Sequence, residues 1–375
     1  MPGLRANIDP DGLLEFSVVF TDRSLNHMSK AFQGVMRDIH ATLCEAYGAR
    51  RAVVVPGGGT YAMEAVARQL ASGRKAMVIR NGYFSYRWTQ IFEAGAIPSE
   101  EIVLKARREG DGADAPFTPP PIEEVTARIK RDQPAVLFAP HVETSAGMIL
   151  PDAYLRALAE AMHQVGGLFV LDCIASGCIW VDMTATGVDV LISAPQKGWS
   201  GPPCAGFVMM NDAALHACRA GQSTSYALDL NKWLTIMEAY LGGGYAYHCT
   251  MPTDSLRVVR DAMLETQAIG FDRLKAAQWE QGRAVRALLA QRQIKSVAAD
   301  EYGAPGVVVS FTKDPEIQNG KKFADLGLQI AAGVPLMVDE GADYRSFRIG
   351  LFGLDKLLDV PASVTRLESA LNQLR

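Results

Sequence analysis

Ile192-Ser193-Ala194-Pro195-Gln196-Lys197-Gly198-Trp199 is the stretch that decides the fold of this chain. The apolar run Val188-Asp189-Val190-Leu191-Ile192 leads into it, and Gly198, Gly201, Pro202, Pro203 and Gly206 follow. Lys197 is thereby placed on a turn between two apolar strands. A lysine delivered by a buried strand is held at an interior site, where desolvation disfavours the ammonium and lowers its pKa. The resulting amine is a usable nucleophile toward carbonyls. The plain alternative is a solvated lysine that happens to follow a strand.

Two upstream segments bear on that choice. Gly166-Gly167-Leu168-Phe169-Val170-Leu171-Asp172 reads as a short buried strand ending in an acid, the pattern of a parallel-sheet strand. Open α/β sheets bind ligands at the carboxyl ends of their strands. Asp172 ends one strand and Lys197 follows the next. A buried carboxylate needs a cationic or hydrogen-bonding partner. A protonated pyridine nitrogen is such a partner, and pyridoxal phosphate uses an acid there and a lysine at its aldehyde. Read alone, Asp172 equally well caps a turn.

The other segment starts with strand-like Arg51-Ala52-Val53-Val54-Val55. The glycine turn Pro56-Gly57-Gly58-Gly59-Thr60 and a helical run from Tyr61 to Leu70 follow. Strand, glycine turn and helix aim free backbone N–H groups and a positive helix end at an anion. Thr60 is expected to cap the helix and to offer its hydroxyl. The turn is neither a dinucleotide fingerprint nor a P-loop, since the third glycine and the Gly-Lys-Ser/Thr are missing.

Between about Val53 and Met209, strand and helix patterns alternate. Ala76–Ile79, Ala135–Phe138, Leu168–Leu171 and Val188–Ile192 are the apolar strands, with amphipathic helices over Ile122–Arg131 and Ala153–Gln164. This predicts a mostly parallel sheet wrapped by helices. After about Pro252 the character changes. A long helical pattern is interrupted at Gly270, strand-like Val307–Phe311 and Phe347–Gly350 follow, and Val364, Leu367, Leu371 and Leu374 form a last amphipathic helix. The expected α/β organisation is an arm over 1–24, a large domain over 25–255 and a smaller α+β domain over 256–375.

Composition narrows the function classes. Lys and Arg total 37 against 41 Asp and Glu, a net charge of −4, which offers no basic footprint for nucleic acid or membrane. No apolar run reaches spanning length, and Met1-Pro2-Gly3-Leu4-Arg5 has no signal-peptide core, so a cytoplasmic location is expected. The six cysteines form no CxxC pair or zinc pattern, and no metal site is expected.

In this order, the three segments resemble the class V, fold-type I pyridoxal-phosphate aminotransferases, and within them the alanine–glyoxylate and serine–pyruvate type. The resemblance runs from about Leu25 to the C-terminus. It implies that Lys197 bonds the cofactor aldehyde, that Gln196 helps hold the phosphate, and that Asp172 pairs with the pyridine nitrogen. Ile174 would pack on one ring face. Asn81-Gly82-Tyr83-Phe84 matches the segment carrying the aromatic of the other face, here Phe84. His141-Val142-Glu143-Thr144-Ser145-Ala146-Gly147 is similar to a family turn whose Ser145 would contact the cofactor. Gly58, Gly59 and Thr60 match the phosphate turn. Tyr247-His248-Cys249-Thr250 resembles a motif whose Tyr247 and Thr250 would reach the phosphate in a neighbouring subunit, which implies a homodimer. Ser346-Phe347-Arg348-Ile349-Gly350 resembles the motif whose Arg348 would grip a substrate α-carboxylate in a two-pronged pair. His141 and His248 receive no role.

The chain departs from that pattern at several points. Leu13 to Arg23 lacks the family's Pro-Gly-Pro loop, and Cys204 and Cys249 replace a glycine and a histidine. The implied reaction moves an amino group from alanine, serine or aspartate to glyoxylate or pyruvate. A 2-aminoethylphosphonate transaminase or a lyase of the same fold is the alternative. Gln196 before Lys197 stands against a cysteine desulfurase, which carries His-Lys there. The incomplete glycine fingerprint stands against a nicotinamide oxidoreductase. The presence of Asp172, Lys197 and Arg348 together stands against a non-catalytic module.

Overall fold

A computed structural model gives the fold and describes residues 7–374. Met1 to Arg5, on which the leader expectation rests, lie outside the described residues. Seven strands build the main sheet: β1 Arg51–Pro56, β2 Lys75–Arg80, β3 Glu100–Lys105, β4 Val136–Pro140, β5 Leu168–Asp172, β6 Val190–Ser193 and β7 Ala205–Met210. Their order is β1-β7-β6-β5-β4-β2-β3. The five strands β2 to β6 run parallel, and β7 runs antiparallel between β1 and β6. Every residue of β4 to β7 is buried, which is why these strands read as unbroken apolar runs rather than alternating ones. Strand β3 is different. Its sequence Glu-Glu-Ile-Val-Leu-Lys buries only Ile102 and Leu104, and it closes the sheet as a charged edge. No apolar run marked it in the sequence.

Helices connect the parallel strands: α2 Gly59–Leu70 after β1 and α3 Tyr83–Gly95 after β2, with α1 Lys30–Tyr47 preceding the sheet. The expected helices are present as Ile122–Asp132 and Asp152–Gln164. Registers fix the strand ends. Asp172 pairs in parallel with Ile192 on one side and with Pro140 on the other. The residues leaving β4, β5 and β6 therefore emerge together on one edge of the sheet.

The C-terminal part begins with two long helices, Thr253–Ile269 and Phe271–Ala290, separated at Gly270 (φ 103°). A second sheet of β8 Val307–Phe311, β9 Ala331–Ala332 and β10 Ser346–Gly350 follows, antiparallel, with β10 in the centre. Phe323, Phe347, Ile349 and Leu367 pack there with Leu288 and Leu289 as a core separate from that of the large sheet. Among the described residues no helix is long and apolar enough to cross a membrane.

Candidate active site

Lys197 lies in the turn after β6, half-buried, with Nζ 5.8 Å from the Phe352 ring centroid. Burial lowers its pKa, opposed by Asp172 and reinforced by Arg348 and Arg87. The turn is anchored from behind. Trp199 is fully buried and its ring centroid is 4.6 Å from that of Trp180. Gly198 cannot be another residue, because a Cβ there would run into the Gly177 carbonyl. A rigid turn of this kind fixes where the lysine amine can reach.

Asp172 ends β5 and is 8% exposed. Oδ1 accepts the Ile174 N–H at 2.9 Å. Desolvation pushes its pKa up to about 6, Glu143 adds to the rise, and the Ile174 N–H, Lys197 and Arg87 only partly offset it. A carboxylate in this state is short of positive charge.

The glycine turn opens α2 as expected, but Thr60 does not cap it. Gly58 is the N-cap and makes no side-chain bond, while the Thr60 hydroxyl accepts from Arg87 Nη1 at 3.0 Å. The Tyr61 and Ala62 N–H groups donate to the Gly58 carbonyl, and those of Gly59 and Thr60 remain available to an anion. Gly59 is needed for close packing, since a Cβ would strike Ile174 Cδ1, whereas a Cβ at Gly58 would meet nothing within 4 Å. Ile174 thus stands against the phosphate turn.

Glu143 belongs to the 141–147 turn but received no role from its sequence. It is fully buried, and its carboxylate takes the N–H groups of Phe84 (3.1 Å), Ser85 (2.9 Å) and Ser145 (3.0 Å), with the Ser85 and Ser145 hydroxyls at 2.6 and 2.7 Å. It sits at the N-terminus of α3, where a negative charge is favoured. Ser145, expected on the cofactor, is committed elsewhere. Its hydroxyl donates to Glu143 and accepts the Tyr83 N–H at 2.8 Å, and Thr144 is the residue of this turn that lines the cleft. A buried Glu in a turn flanked by Val142 and Met148 was the available signal, because it must find donors.

The cleft is lined by Gly59, Thr60, Phe84, Arg87, Thr144, Asp172, Ile174, Gln196 and Lys197. Arg87, one helical turn after Phe84, was not anticipated. Arg348, on the central strand of the small sheet, brings its guanidinium carbon to 5.4 Å from the Phe84 ring centroid, and Arg87 brings its own to 5.2 Å. Arg348 Nε donates to the Ala332 carbonyl at 2.9 Å, and burial lowers its pKa against Glu143 and Tyr344. Neither guanidinium is ion-paired among the described residues. Tyr247 and Thr250 are not in this cleft. Their hydroxyls are 3.0 Å apart on a segment where Tyr247 is 54% exposed. His141 is buried against Ser176 Oγ at 2.7 Å, and burial pulls its pKa down to about 3, so it is a neutral structural group.

No protein-family model matches the chain. A 2-aminoethylphosphonate–pyruvate transaminase of Paraburkholderia phymatum is 28% identical over 347 residues, covering 90% of this chain and 88% of that protein. The crystal structure of an alanine–glyoxylate aminotransferase from Nostoc sp. matches with a TM-score of 0.78 at 23% identity, covering 93% of this chain and 89% of that one. An aspartate aminotransferase of Thermus thermophilus matches with a TM-score of 0.75 at 24% identity over 94% of both chains. The fold is that of the fold-type I pyridoxal-phosphate aminotransferases. Curated relatives at 27–28% identity are 2-aminoethylphosphonate–pyruvate transaminases, and one at 25% is named as the small subunit of a soluble hydrogenase.

The groups of the cleft fit pyridoxal phosphate. The carboxylate of Asp172 has no ion pair among the described residues, Lys197 is an amine with a lowered pKa, and the N-terminus of α2 lines the same cleft. Ile174 and Phe84 supply apolar surface there. Asp172 can hold a proton on a ring nitrogen, Lys197 can bond an aldehyde and move a proton, and the guanidinium groups can take acids.

Proposed function

We propose that the chain is a pyridoxal-phosphate-dependent aminotransferase that moves an amino group from a small amino donor to a 2-oxo acid such as glyoxylate or pyruvate. The observation that supports this is that Lys197 and Asp172, from adjacent parallel strand ends, line one cleft, with Arg348 of the second sheet beside Phe84 of its lining. When bound, the cofactor supplies an aldehyde and an electron-accepting ring. Asp172 keeps the ring nitrogen positively charged, and that charge in turn relieves its own desolvation. Lys197 would hold the cofactor aldehyde through its amine and, when that amine is free, would move the donor's α-proton as general base and acid. Phe84 and Ile174 hold the ring plane, Gly58, Gly59, Thr60 and Gln196 the phosphate, and Arg348 the substrate acid.

Alanine, serine and aspartate are the first donors to test. The second reading, 2-aminoethylphosphonate with pyruvate, is supported by curated relatives of that name at 27–28% identity. A guanidinium suits a phosphonate as well as a carboxylate. The deciding experiment is the near-visible spectrum of the purified protein with pyridoxal phosphate. A yellow band that bleaches with one donor and returns with one 2-oxo acid is expected. Its absence overturns the reading.

The assembly we propose is a homodimer in which Tyr247 and Thr250 serve the partner's phosphate site. Support comes from their separation from this chain's own cleft. The arm leaves Leu13, Phe16 and Val18 at 89%, 89% and 102% exposure, and Tyr226 and Tyr245 are also exposed. A monomer by light scattering with full cofactor occupancy overturns it. A cytoplasmic location is proposed from the six free cysteines, which suit a reducing compartment. The two sheets support a division near residue 255 into cofactor-binding and smaller domains.

A further inference from the structure

Arg87 has no counterpart in the roles assigned above. It stands on α3 one turn beyond Phe84, so both side chains share a helix face. Its Nη1 is committed to the Thr60 hydroxyl at 3.0 Å, and its guanidinium carbon lies 5.2 Å from the Phe84 ring centroid. Thr60 belongs to the first turn of α2, whose N-cap, Gly58, uses no side chain. One cation of fixed geometry therefore leans over the open end of a helix. The carboxylates nearest the cleft leave it unpaired. Asp172 accepts from the Ile174 N–H, and Glu143 is surrounded by five donors from residues 84, 85 and 145. A guanidinium held beside free backbone N–H groups is a seat for an oxyanion with several oxygens, because its remaining N–H donors stay free for a second partner.

We propose that Arg87 is the side-chain cation of the phosphate seat, bridging Thr60 and the cofactor phosphate and so tying the Phe84 end of α3 to the start of α2. The inference rests on the pyridoxal-phosphate reading of the cleft. The two guanidinium groups near Phe84 then serve different anions, Arg87 the phosphate and Arg348 the substrate acid.

The test compares pyridoxal phosphate with pyridoxal, which has the same ring and aldehyde and no phosphate. Dissociation constants of both are measured by absorbance and by quenching of tryptophan fluorescence on the full-length apoprotein. The wild type, Arg87→Met and Arg87→Lys are compared, with thermal melts of each apoprotein as the folding control. Arg87→Met is expected to weaken pyridoxal phosphate about tenfold or more and to leave pyridoxal within about twofold, with Arg87→Lys in between. Equal weakening of both aldehydes makes Arg87 a residue that only shapes the pocket, and overturns the proposal. Unchanged binding of both, with poorer saturation by amino donor, moves Arg87 to the substrate acid and also overturns it. A wild type that binds neither aldehyde removes the cofactor reading itself, and the proposal falls with it. Only that last result touches the wider reading, so the two failures are distinguishable.

Discussion

Two carboxylates lie at this end of the sheet, both buried, and they are in opposite states. Glu143 is fully enclosed and surrounded by five hydrogen-bond donors from residues 84, 85 and 145. Asp172 is 8% exposed, accepts from the Ile174 N–H, and is pushed by desolvation to a pKa of about 6. The difference separates a carboxylate that completes the fold from one left short of donors. Satisfying Glu143 pins the N-terminus of α3, and with it Phe84 and Arg87, to the 143–147 turn. In the proposed function, the cofactor's ring nitrogen would supply the charge that Asp172 is short of. Functional groups are often held in environments that cost stability, and Asp172 fits that pattern.

The largest expected effect comes from removing the amine that faces Asp172. Lys197→Ala should reduce transamination by roughly four orders of magnitude or more, since a covalent group that also transfers the proton is lost. It should also abolish the absorption band of the lysine-bound cofactor. Near-normal turnover in single-turnover assays would sink the active-site assignment.

Breaking the satisfied carboxylate should act on stability rather than on chemistry alone. Glu143→Ala strands the Phe84, Ser85 and Ser145 N–H groups in a buried place. The cost should be roughly 3 kcal/mol or more, as each orphaned donor carries a desolvation penalty. Urea denaturation of the apoprotein measures it. A loss below about 1 kcal/mol would mean that the clamp is redundant.

Arg348→Ala should sharpen the comparison from the ligand side. The residue lies on the second sheet and makes one bond to the Ala332 carbonyl, so its loss should leave the apoprotein's stability nearly unchanged. Donor KM should rise by about ten- to a hundredfold with cofactor affinity preserved. Unchanged saturation by every acid-bearing donor would remove Arg348 from substrate binding.

How much of this was legible in the sequence follows from the range of each interaction. Strands β1, β2 and β4 to β6 are buried apolar runs, so local pattern sufficed, and Lys197 and Asp172 follow from their places at strand ends. Edge strand β3 carries alternating burial under charged residues and left no such run. The Glu143 clamp joins residues 58 and 59 positions apart, and Arg87 reaches Thr60 across 27. Nothing local distinguishes Thr144 from Ser145. Only the return of α3 to this turn decides that Ser145 faces Tyr83 while Thr144 lines the cleft. Thr60 was misread as a cap for the same reason, because its true partner comes from another helix.

The smallest expected effect tests the unsatisfied state of Asp172 directly. Its folded-state pKa of about 6 lies above the ordinary 3.8, so the folded apoprotein holds this proton more tightly than the unfolded chain. The sign follows by linkage. Below about pH 3.8 the group is neutral in both states and costs nothing. As pH rises toward 6 the unfolded chain ionises first, and the apoprotein loses stability, reaching a full penalty of roughly 2–3 kcal/mol above pH 6. Asp172→Asn keeps an acceptor for the Ile174 N–H and carries no charge. The substituted apoprotein should therefore be more stable than wild type by about 1–2 kcal/mol at pH 7.5, with the gain shrinking toward zero near pH 4. Denaturation curves at the two pH values measure both numbers. Cofactor should reverse the order, because a positively charged ring nitrogen pairs with aspartate and not with asparagine. If the asparagine variant were less stable at pH 7.5 without cofactor, Asp172 would be holding the fold together as Glu143 does, and the contrast between the two carboxylates would fail.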